Sequence, residues 1–371
     1  MGKIKDDSKD IRHPLFGTSI TNWIQLLSDH GGVDRSFLLR AMFVTVSTIY
    51  TLPARLLFKI IYGSCISKTC IKNPPIFVIG HWRSGTTFLH EIISQDPQLA
   101  HVSLWHTLVP DSFLILDSSK ELLSRFLPTT RPMDSMKVDI DGAYEEEAGL
   151  ATLGRWSFFH CFIFPRDAER QYRQSVLFEG LNAEEVAIWK KNYLQLLKAV
   201  TFANKGLRLI LKNPANTARI KTLLELFPEA RFIHIYRNPY TVYVSTKRMR
   251  MRVLNQFALQ HTTEEEVERH VIDDYVRLMK SYYEQKNQIP KGQLVEISYE
   301  EFVANPLDQV RQMYAELGLP GFEEAKPGMQ QYLDRQVGYK TNPYTIDKAI
   351  IRRVKKYWSF TIKRWGYKPP K

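Results

Sequence analysis

The chain has 371 residues and a mass of 43.3 kDa, and its hydrophobic fraction of 44% excludes an intrinsically disordered protein. A net charge of +12 favours anionic ligands or an anionic membrane surface, and no basic-aromatic motif indicates nucleic acid. The three cysteines, Cys65, Cys70 and Cys161, have no metal-ligand spacing, which predicts a reducing, cytoplasmic compartment and excludes a disulfide framework.

The apolar stretch 38–62 is interrupted by residues that a membrane-spanning helix avoids: Arg40, Pro53, Arg55 and Lys59. A spanning helix needs about 20 mostly apolar residues, and a central charge costs several kcal/mol. We therefore predict two amphipathic helices separated near Pro53. These helices either pack on the core or lie peripherally on a membrane surface, with Arg55 and Lys59 extending their charges towards water.

A strand, a glycine loop and a helix follow one another after residue 74. Residues 75–79 form the short apolar run of a buried strand, and Gly80 and Gly85 frame a tight loop. Apolar side chains then recur at helical spacing over 84–94. Such a unit binds anions, because backbone N–H groups and the helix dipole both favour negative charge.

The loop nearly matches the nucleotide-binding pattern G-x-x-x-x-G-K-[ST], with Thr87 in register. Thr86 stands where the pattern has the lysine that reaches the β- and γ-phosphates, and the positive charge of the loop lies at Arg83. The sequence therefore predicts a phosphate site that does not hold a nucleoside triphosphate.

The organisation predicted is an N-terminal amphipathic helical segment over 1–70 and one domain over 71–371, with an insertion at about 105–200. The insertion contains the acidic run 139–147 and an aromatic cluster between residues 156 and 164, but no regular alternation of strands and helices. It forms either the pocket for an acceptor or a helical cap whose aromatic residues are core.

Strands alternate with helices from residue 182 onward. Apolar runs at 207–212, 231–236 and 293–298 predict strands, and helical patterns cover 184–201, 215–227, 240–251, 263–288 and 307–317. This alternation predicts an α/β protein: a P-loop-like three-layer fold with a central parallel sheet flanked by helices. Ligands of such sheets bind beyond the carboxyl ends of the strands, where the loop 80–84, Lys212 and Arg237 all fall.

Two segments resemble the sulfotransferases that use 3′-phosphoadenosine-5′-phosphosulfate (PAPS), in the mostly microbial branch related to tyrosylprotein sulfotransferases. Residues 75–87 are similar to the family's 5′-phosphosulfate loop, and 232–246 to its 3′-phosphate segment. Arg237 and Ser245 have the eight-residue spacing with which the family grips the 3′-phosphate. Lys212, in Leu-Lys-Asn-Pro, is similar to the family's active-site lysine.

The resemblance implies transfer of a sulfuryl group from PAPS to a hydroxyl or amine of a small or lipid-like acceptor, with PAP as product and no metal. It implies that Arg83 and Lys212 stabilise charge on the leaving phosphate. Phe88 either stacks on adenine or belongs to the core. The other residues that would contact the nucleotide lie in the loop, in the 3′-phosphate segment and in a weakly similar segment at 339–344: Ser84, Gly85, Thr86, Thr87, Arg237, Ser245, Lys340 and Asn342.

The base that activates the acceptor departs from the family pattern. Cytosolic members of the family have a histidine two residues after the active-site lysine, but here that residue is Pro214. Tyrosylprotein sulfotransferases have a glutamate at the position that is Leu104 here. His106 is the preferred candidate because imidazole titrates near neutral pH. His101 and the carboxylates of 145–147 are the competitors.

Two other functions stay open from the sequence, as does the oligomeric state. A P-loop kinase is disfavoured by the missing lysine and by the lack of an acidic residue for Mg²⁺ at a strand end. A catalytically inactive nucleotide-binding protein at a membrane surface would keep the cofactor site and lack turnover.

Overall fold

The computed structural model describes residues 13–125, 138–336 and 344–370, and these form two compact units that are each discontinuous in sequence. Unit 1 comprises the described parts of 1–73, 101–207 and 250–267, and unit 2 those of 74–100, 208–249 and 268–371. The sequence predicts the N-terminal segment 1–70 as separate from the insertion at about 105–200. The described residues of both segments lie in unit 1.

Five strands form one sheet in the order β2-β3-β1-β4-β5. They are β1 Ile76–Ile79, β2 Leu99–His101, β3 Arg208–Lys212, β4 Arg231–Tyr236 and β5 Leu294–Ser298. The pairs β1–β3, β1–β4 and β4–β5 are parallel. The predicted α/β fold with a central parallel sheet is therefore confirmed.

The α-helices of the described residues follow in chain order. They are α1 Ile20–Asp29, α2 Leu38–Lys68, α3 Thr86–Ile93, α4 Leu104–Leu108, α5 Lys120–Ser124, α6 Glu146–Leu153, α7 His160–Ile163, α8 Ala168–Val176, α9 Ala183–Ala203, α10 Ile220–Leu226, α11 Pro239–Phe257, α12 Glu264–Gln285, α13 Tyr299–Ala304, α14 Pro306–Glu316, α15 Phe322–Arg335 and α16 Lys348–Trp365.

The sheet of unit 2 is covered by helices on both faces, because successive side chains of a strand point to opposite sides. Ile76 and Val78 of β1 join one buried cluster with residues of α3, α13, α14 and α15. Phe77, between them, packs its ring on Phe232 and on Phe227 at the end of α10. Strand β1 is accordingly a continuous apolar run rather than an alternating one.

Helix α2 is a single helix of 31 residues that continues through Pro53, so the prediction of two helices separated there is wrong. A proline inside a helix costs about 3 kcal/mol, because it removes one hydrogen bond and crowds the preceding turn. Thr51, Ala54 and Phe58 are buried in the turns around the proline. We infer that this packing stabilises the helix by more than the proline costs.

The predicted helix 215–227 is also interrupted. Residues Pro214–Ala218 form a 3₁₀ turn, and α10 begins only at Ile220. The side chain of Asn213 accepts a hydrogen bond from the backbone N–H of Ala215 at 3.0 Å and caps the tight turn. This turn places Thr217 in the candidate site described below.

The aromatic cluster of the predicted insertion is buried in unit 1. Phe158 and Phe164 are fully enclosed, and Phe158 packs edge-on against Phe162 with 5.0 Å between ring centroids. Phe164 belongs to a cluster that includes Trp23 of α1 and Val44 of α2. Of the two alternatives that the sequence leaves open, the structure supports the helical cap whose aromatic residues are core.

Candidate active site

The glycine loop begins where β1 ends and is fixed there by two close contacts. Gly80 has φ +141°, and a Cβ atom at this position would lie 2.2 Å from the carbonyl oxygen of Ile235. The Gly80 N–H donates to Thr217 Oγ1 at 2.8 Å, and the Thr217 hydroxyl donates back to the Gly80 carbonyl at 3.2 Å. Any larger residue than glycine would push the loop away from β4.

The loop ends at Gly85, the residue that caps the N-terminus of α3. Gly85 has φ +98°, and an added Cβ would lie 2.3 Å from the ring of Tyr299. Arg83 also adopts a left-handed conformation, with φ +72°, which costs a non-glycine residue free energy. Strained residues of this kind concentrate at functional sites, where surrounding structure holds them in place.

Two arginines and a serine meet beside this loop, and they come from three separate parts of the chain. Arg83 Nε donates to Ser245 Oγ of α11 at 2.9 Å. Arg237 Nη1, just past the end of β4, donates to the carbonyl of Arg83 at 3.2 Å. The hydroxyls of Ser245 and Tyr344 are hydrogen-bonded at 2.9 Å. The structure thus brings together the residues predicted for the two phosphate segments.

Tyr299 packs against both the glycine loop and Arg237. It begins α13, directly after β5, and its ring contacts Gly85 on one side. The guanidinium of Arg237 lies over the same ring, 4.0 Å from its centroid. A cation over a tyrosine face is held electrostatically by the ring, so Tyr299 fixes the orientation of Arg237.

Lys212 is the last residue of β3 and lies beside Val78 of β1, two residues before Gly80. Only 1% of its surface is exposed. A lysine that is nearly fully buried is uncommon, because desolvation disfavours the charged ammonium. Its position at the carboxyl edge, beside the strand that leads into the loop, agrees with the sequence prediction.

Comparison with known proteins identifies this arrangement. The model of the sulfotransferase family matches residues 74–324, which contain the loop, Lys212, Arg237 and Ser245. The chain belongs to the sulfotransferase family. The prediction of a sulfotransferase from the two phosphate segments is therefore confirmed, and the kinase alternative is not supported.

The sulfotransferase has well-matched relatives in mycobacteria. It is 32% identical over 358 residues to omega-hydroxy-beta-dihydromenaquinone-9 sulfotransferase Stf3 from Mycobacterium bovis and from Mycobacterium tuberculosis, covering 95% of this chain and 91% of each relative. Two solved structures have the same fold. Sulfotransferase STF9 from Mycobacterium avium has a TM-score of 0.69 at 17% identity, covering 95% of this chain and 97% of that one. Sulfotransferase STF1 from Mycobacterium tuberculosis H37Rv has a TM-score of 0.65 at 18% identity, covering 91% of this chain and 93% of that one.

The residues of the cluster suit a doubly charged anion. Arg83 and Arg237 place two guanidinium groups around one stretch of loop, and Ser245 adds a buried hydroxyl. Guanidinium groups bind phosphate oxygens through several N–H groups at once. Ser84 and Thr86 at the start of α3 are buried beside them, where the helix N-terminus offers further N–H donors.

Three other predicted nucleotide contacts have different outcomes. Phe88 packs on Phe302 and Tyr332, with centroid distances of 5.4 and 6.5 Å, at the edge of the main cluster of unit 2. The core alternative for Phe88 is therefore the one that the structure supports. Lys340 and Asn342 lie outside the described residues, although Tyr344 of the same segment reaches Ser245.

His106, the preferred base from the sequence, has a structural task in unit 1. Its Nδ1 accepts the backbone N–H of Ser103 at 3.1 Å, and the Ser103 hydroxyl accepts the N–H of His106, which together cap α4. The ring meets Phe113 edge-on at 4.7 Å. Burial, with the neighbouring His101, lowers the pKa of His106 to about 4. His101 Nε2 lies 2.9 Å from the carbonyl of Asp141.

The acidic competitors lie in unit 1 at the start of α6. Glu146 is fully buried, and Tyr193 of α9 donates its hydroxyl hydrogen to Glu146 Oε1 at 3.0 Å. Glu147 is also buried and accepts the backbone N–H of Phe158 at 2.6 Å. Glu145 precedes the helix and is partly exposed. Glu147 therefore holds the backbone at Phe158 in place, while Glu146 is hydrogen-bonded to the side chain of Tyr193.

Metal ligands do not group in the part of the chain that the structure describes. No set of three or more His, Cys, Asp or Glu residues there is placed to hold a metal ion.

Proposed function

We propose that this sulfotransferase transfers the sulfuryl group of PAPS to a hydroxyl group of a lipid-like acceptor, and that PAP is the product. The cluster of Arg83, Arg237 and Ser245 supports PAPS as the donor, because two guanidinium groups and a hydroxyl beside the loop would bind its 3′-phosphate. The acceptor class is supported by the 32% identical relatives, which are named for an omega-hydroxy menaquinone derivative.

Each residue around the glycine loop has a proposed task. Arg83 and the N–H groups of Ser84 to Thr87 would hold the 5′-phosphosulfate, and Arg237 with Ser245 would hold the 3′-phosphate. PAPS supplies an already activated sulfuryl group, so the protein contributes positioning and charge stabilisation. Lys212 would stabilise negative charge on the phosphate oxygen that the sulfuryl group leaves.

Binding of PAP should stabilise the protein more than binding of AMP or of ATP with Mg²⁺, because only PAP has the 3′-phosphate. PAP at 100 times its dissociation constant should add about 2.7 kcal/mol to the free energy of unfolding. Thermal unfolding at equal nucleotide concentrations measures this order. Equal stabilisation by AMP and PAP would contradict the proposed 3′-phosphate site.

Arg237→Ala should weaken PAP binding by about 1.5–3 kcal/mol, the usual cost of losing a charge-assisted hydrogen bond. AMP binding should change much less, so the preference for PAP over AMP should shrink in titration calorimetry. Arg248→Ala is the matched control, because Arg248 is exposed on α11 and its loss removes the same charge. A similar loss of PAP affinity in both variants would mean that only the overall charge matters.

A further inference from the structure

Helix α2 presents an apolar face that nothing in the described structure covers. Residues at successive steps of three or four along this face are exposed: Met42, Val46, Ile49, Pro53, Leu56 and Ile60. Further exposed apolar side chains lie on both sides of this line, among them Leu39, Leu57 and Tyr50. Exposure reaches 77% at Ile60. At 1.5 Å per residue the apolar face is about 30 Å long. An ordinary protein surface has single, scattered apolar residues and not a continuous face of this length.

The opposite face of α2 is firmly held inside unit 1. Arg40 is buried and donates to the carbonyls of Asn255 and Ala258, at 2.8 and 3.0 Å, where α11 ends. Arg55 donates to Asp111 at 2.8 Å. These arginines therefore point into the protein, and Arg55 does not extend towards water as the sequence prediction supposed. Although α2 is long and apolar enough to cross a membrane, a spanning position would remove both arginines from these partners.

The charged residues of α2 itself are all basic. Helix α2 contains no aspartate or glutamate. Lys59 is the exposed cation along its middle, and Arg35 before its start and Lys68 at its end are exposed as well. Lysines and arginines that flank an apolar helix face are attracted to anionic lipid headgroups.

A second copy of the chain fits this surface less well than a bilayer does. A coiled-coil seam is a narrow stripe flanked by charges of both signs, which set the pairing of the helices. The apolar face of α2 is wider than such a stripe and has a proline in its centre, and the helix itself has no acidic residue to pair with a second copy. Electrostatic complementarity therefore favours an anionic surface.

We propose that this face of α2 docks on the surface of a lipid bilayer that contains anionic lipids, with the helix axis parallel to the membrane. The apolar side chains enter the boundary between headgroups and acyl chains, and the lysines contact headgroups. Docking would bring the protein to the phase in which a lipid-like acceptor dissolves. That consequence, unlike the docking itself, rests on the proposed function.

Flotation of the full chain with lipid vesicles tests the docking without any nucleotide. We expect the protein to float with phosphatidylcholine vesicles that contain a quarter phosphatidylglycerol, and 1 M NaCl to reduce the bound fraction. Val46→Glu with Ile60→Glu should reduce binding at least tenfold, because two charges would enter the apolar layer. The matched control is Ile188→Glu with Val303→Glu, at positions 42% and 40% exposed outside α2, which should bind within twofold of the native chain.

The possible outcomes distinguish docking on a bilayer from dimerisation and from a membrane-spanning helix. Native flotation by the α2 variant, or none by the native chain, would overturn the proposal. A dimer in analytical ultracentrifugation that the α2 variant dissociates, with no vesicle binding, would assign the face to a second copy. Resistance to both salt and alkaline wash would instead indicate a spanning helix. The PAP-dependent thermal shift, measured on the same variants, tests the proposed function separately. None of these substitutions lies in the cluster of Arg83, Arg237 and Ser245.

Discussion

Lys212→Met is expected to lower kcat about 100-fold or more while leaving PAP affinity within a few-fold of the native value. The reason is that charge on the leaving phosphate develops mainly during transfer, so a cation placed there acts on the transition state more than on bound nucleotide. Methionine keeps most of the aliphatic stem of this buried side chain and removes its ammonium group. Steady-state kinetics with radiolabelled PAPS measure kcat, and titration calorimetry with PAP measures the PAP affinity.

The burial of Lys212 makes its control important. A buried lysine also packs against β1, so a substitution could reduce activity by loosening the sheet. The melting temperature of the variant distinguishes the two effects, and Lys221→Met, at an exposed lysine on α10, removes the same charge from unit 2. A near-native kcat for Lys212→Met would show that the lysine is structural. A parallel loss of PAP binding would show that it acts on the bound nucleotide instead.

The sequence predicts the sheet of unit 2 and most of the candidate site residues at its carboxyl edge, because both depend on local patterns. Strand β4 has the predicted bounds, and β1 and β3 are each one residue shorter than predicted. Buried parallel strands are uninterrupted apolar runs, which are easily recognised. Once the strands are known, parallel order alone brings the glycine loop, Lys212 and Arg237 to one edge.

Contacts between distant segments could not be predicted. Tyr299 lies against Gly85, and Thr217 against Gly80, but neither pair is close in sequence. A tyrosine after a strand has many ordinary roles, and only the assembled sheet shows which glycine it contacts. The exposed face of α2 is a similar case, since an apolar helix looks alike in sequence whether it is covered or not.

His106 is part of a helix cap that the usual sequence pattern of such caps does not predict. The usual capping box has glutamate or glutamine three residues after serine, whereas here the third residue after Ser103 is histidine. Its Nδ1 lone pair accepts a backbone N–H, so neutral His106 has its proton on Nε2. The ring therefore offers a donor rather than an acceptor to any group that approaches Nε2.

The acceptor hydroxyl must lose its proton to a base, and we propose Glu146 rather than His106 for this task. Glu146→Gln should lower kcat/KM by about 10²- to 10⁴-fold, the usual effect of removing a general base. Glutamine keeps the shape of the side chain and can still accept the hydrogen bond of Tyr193. Glu145→Gln, at the partly exposed neighbouring position, is the matched control and should keep near-native activity.

His106→Ala should affect stability rather than turnover. Loss of a helix cap costs about 0.5–2 kcal/mol, so the melting temperature should fall while kcat/KM stays within about threefold. If His106 were the base after all, its variant would lose activity with an intact PAP shift, and Glu146→Gln would stay active. The pH profile gives an independent check, because burial lowers the pKa of His106 to about 4. An imidazole base with that pKa is active when neutral, so the rate would fall only as the pH drops through about 4, and His106→Ala would abolish that limb.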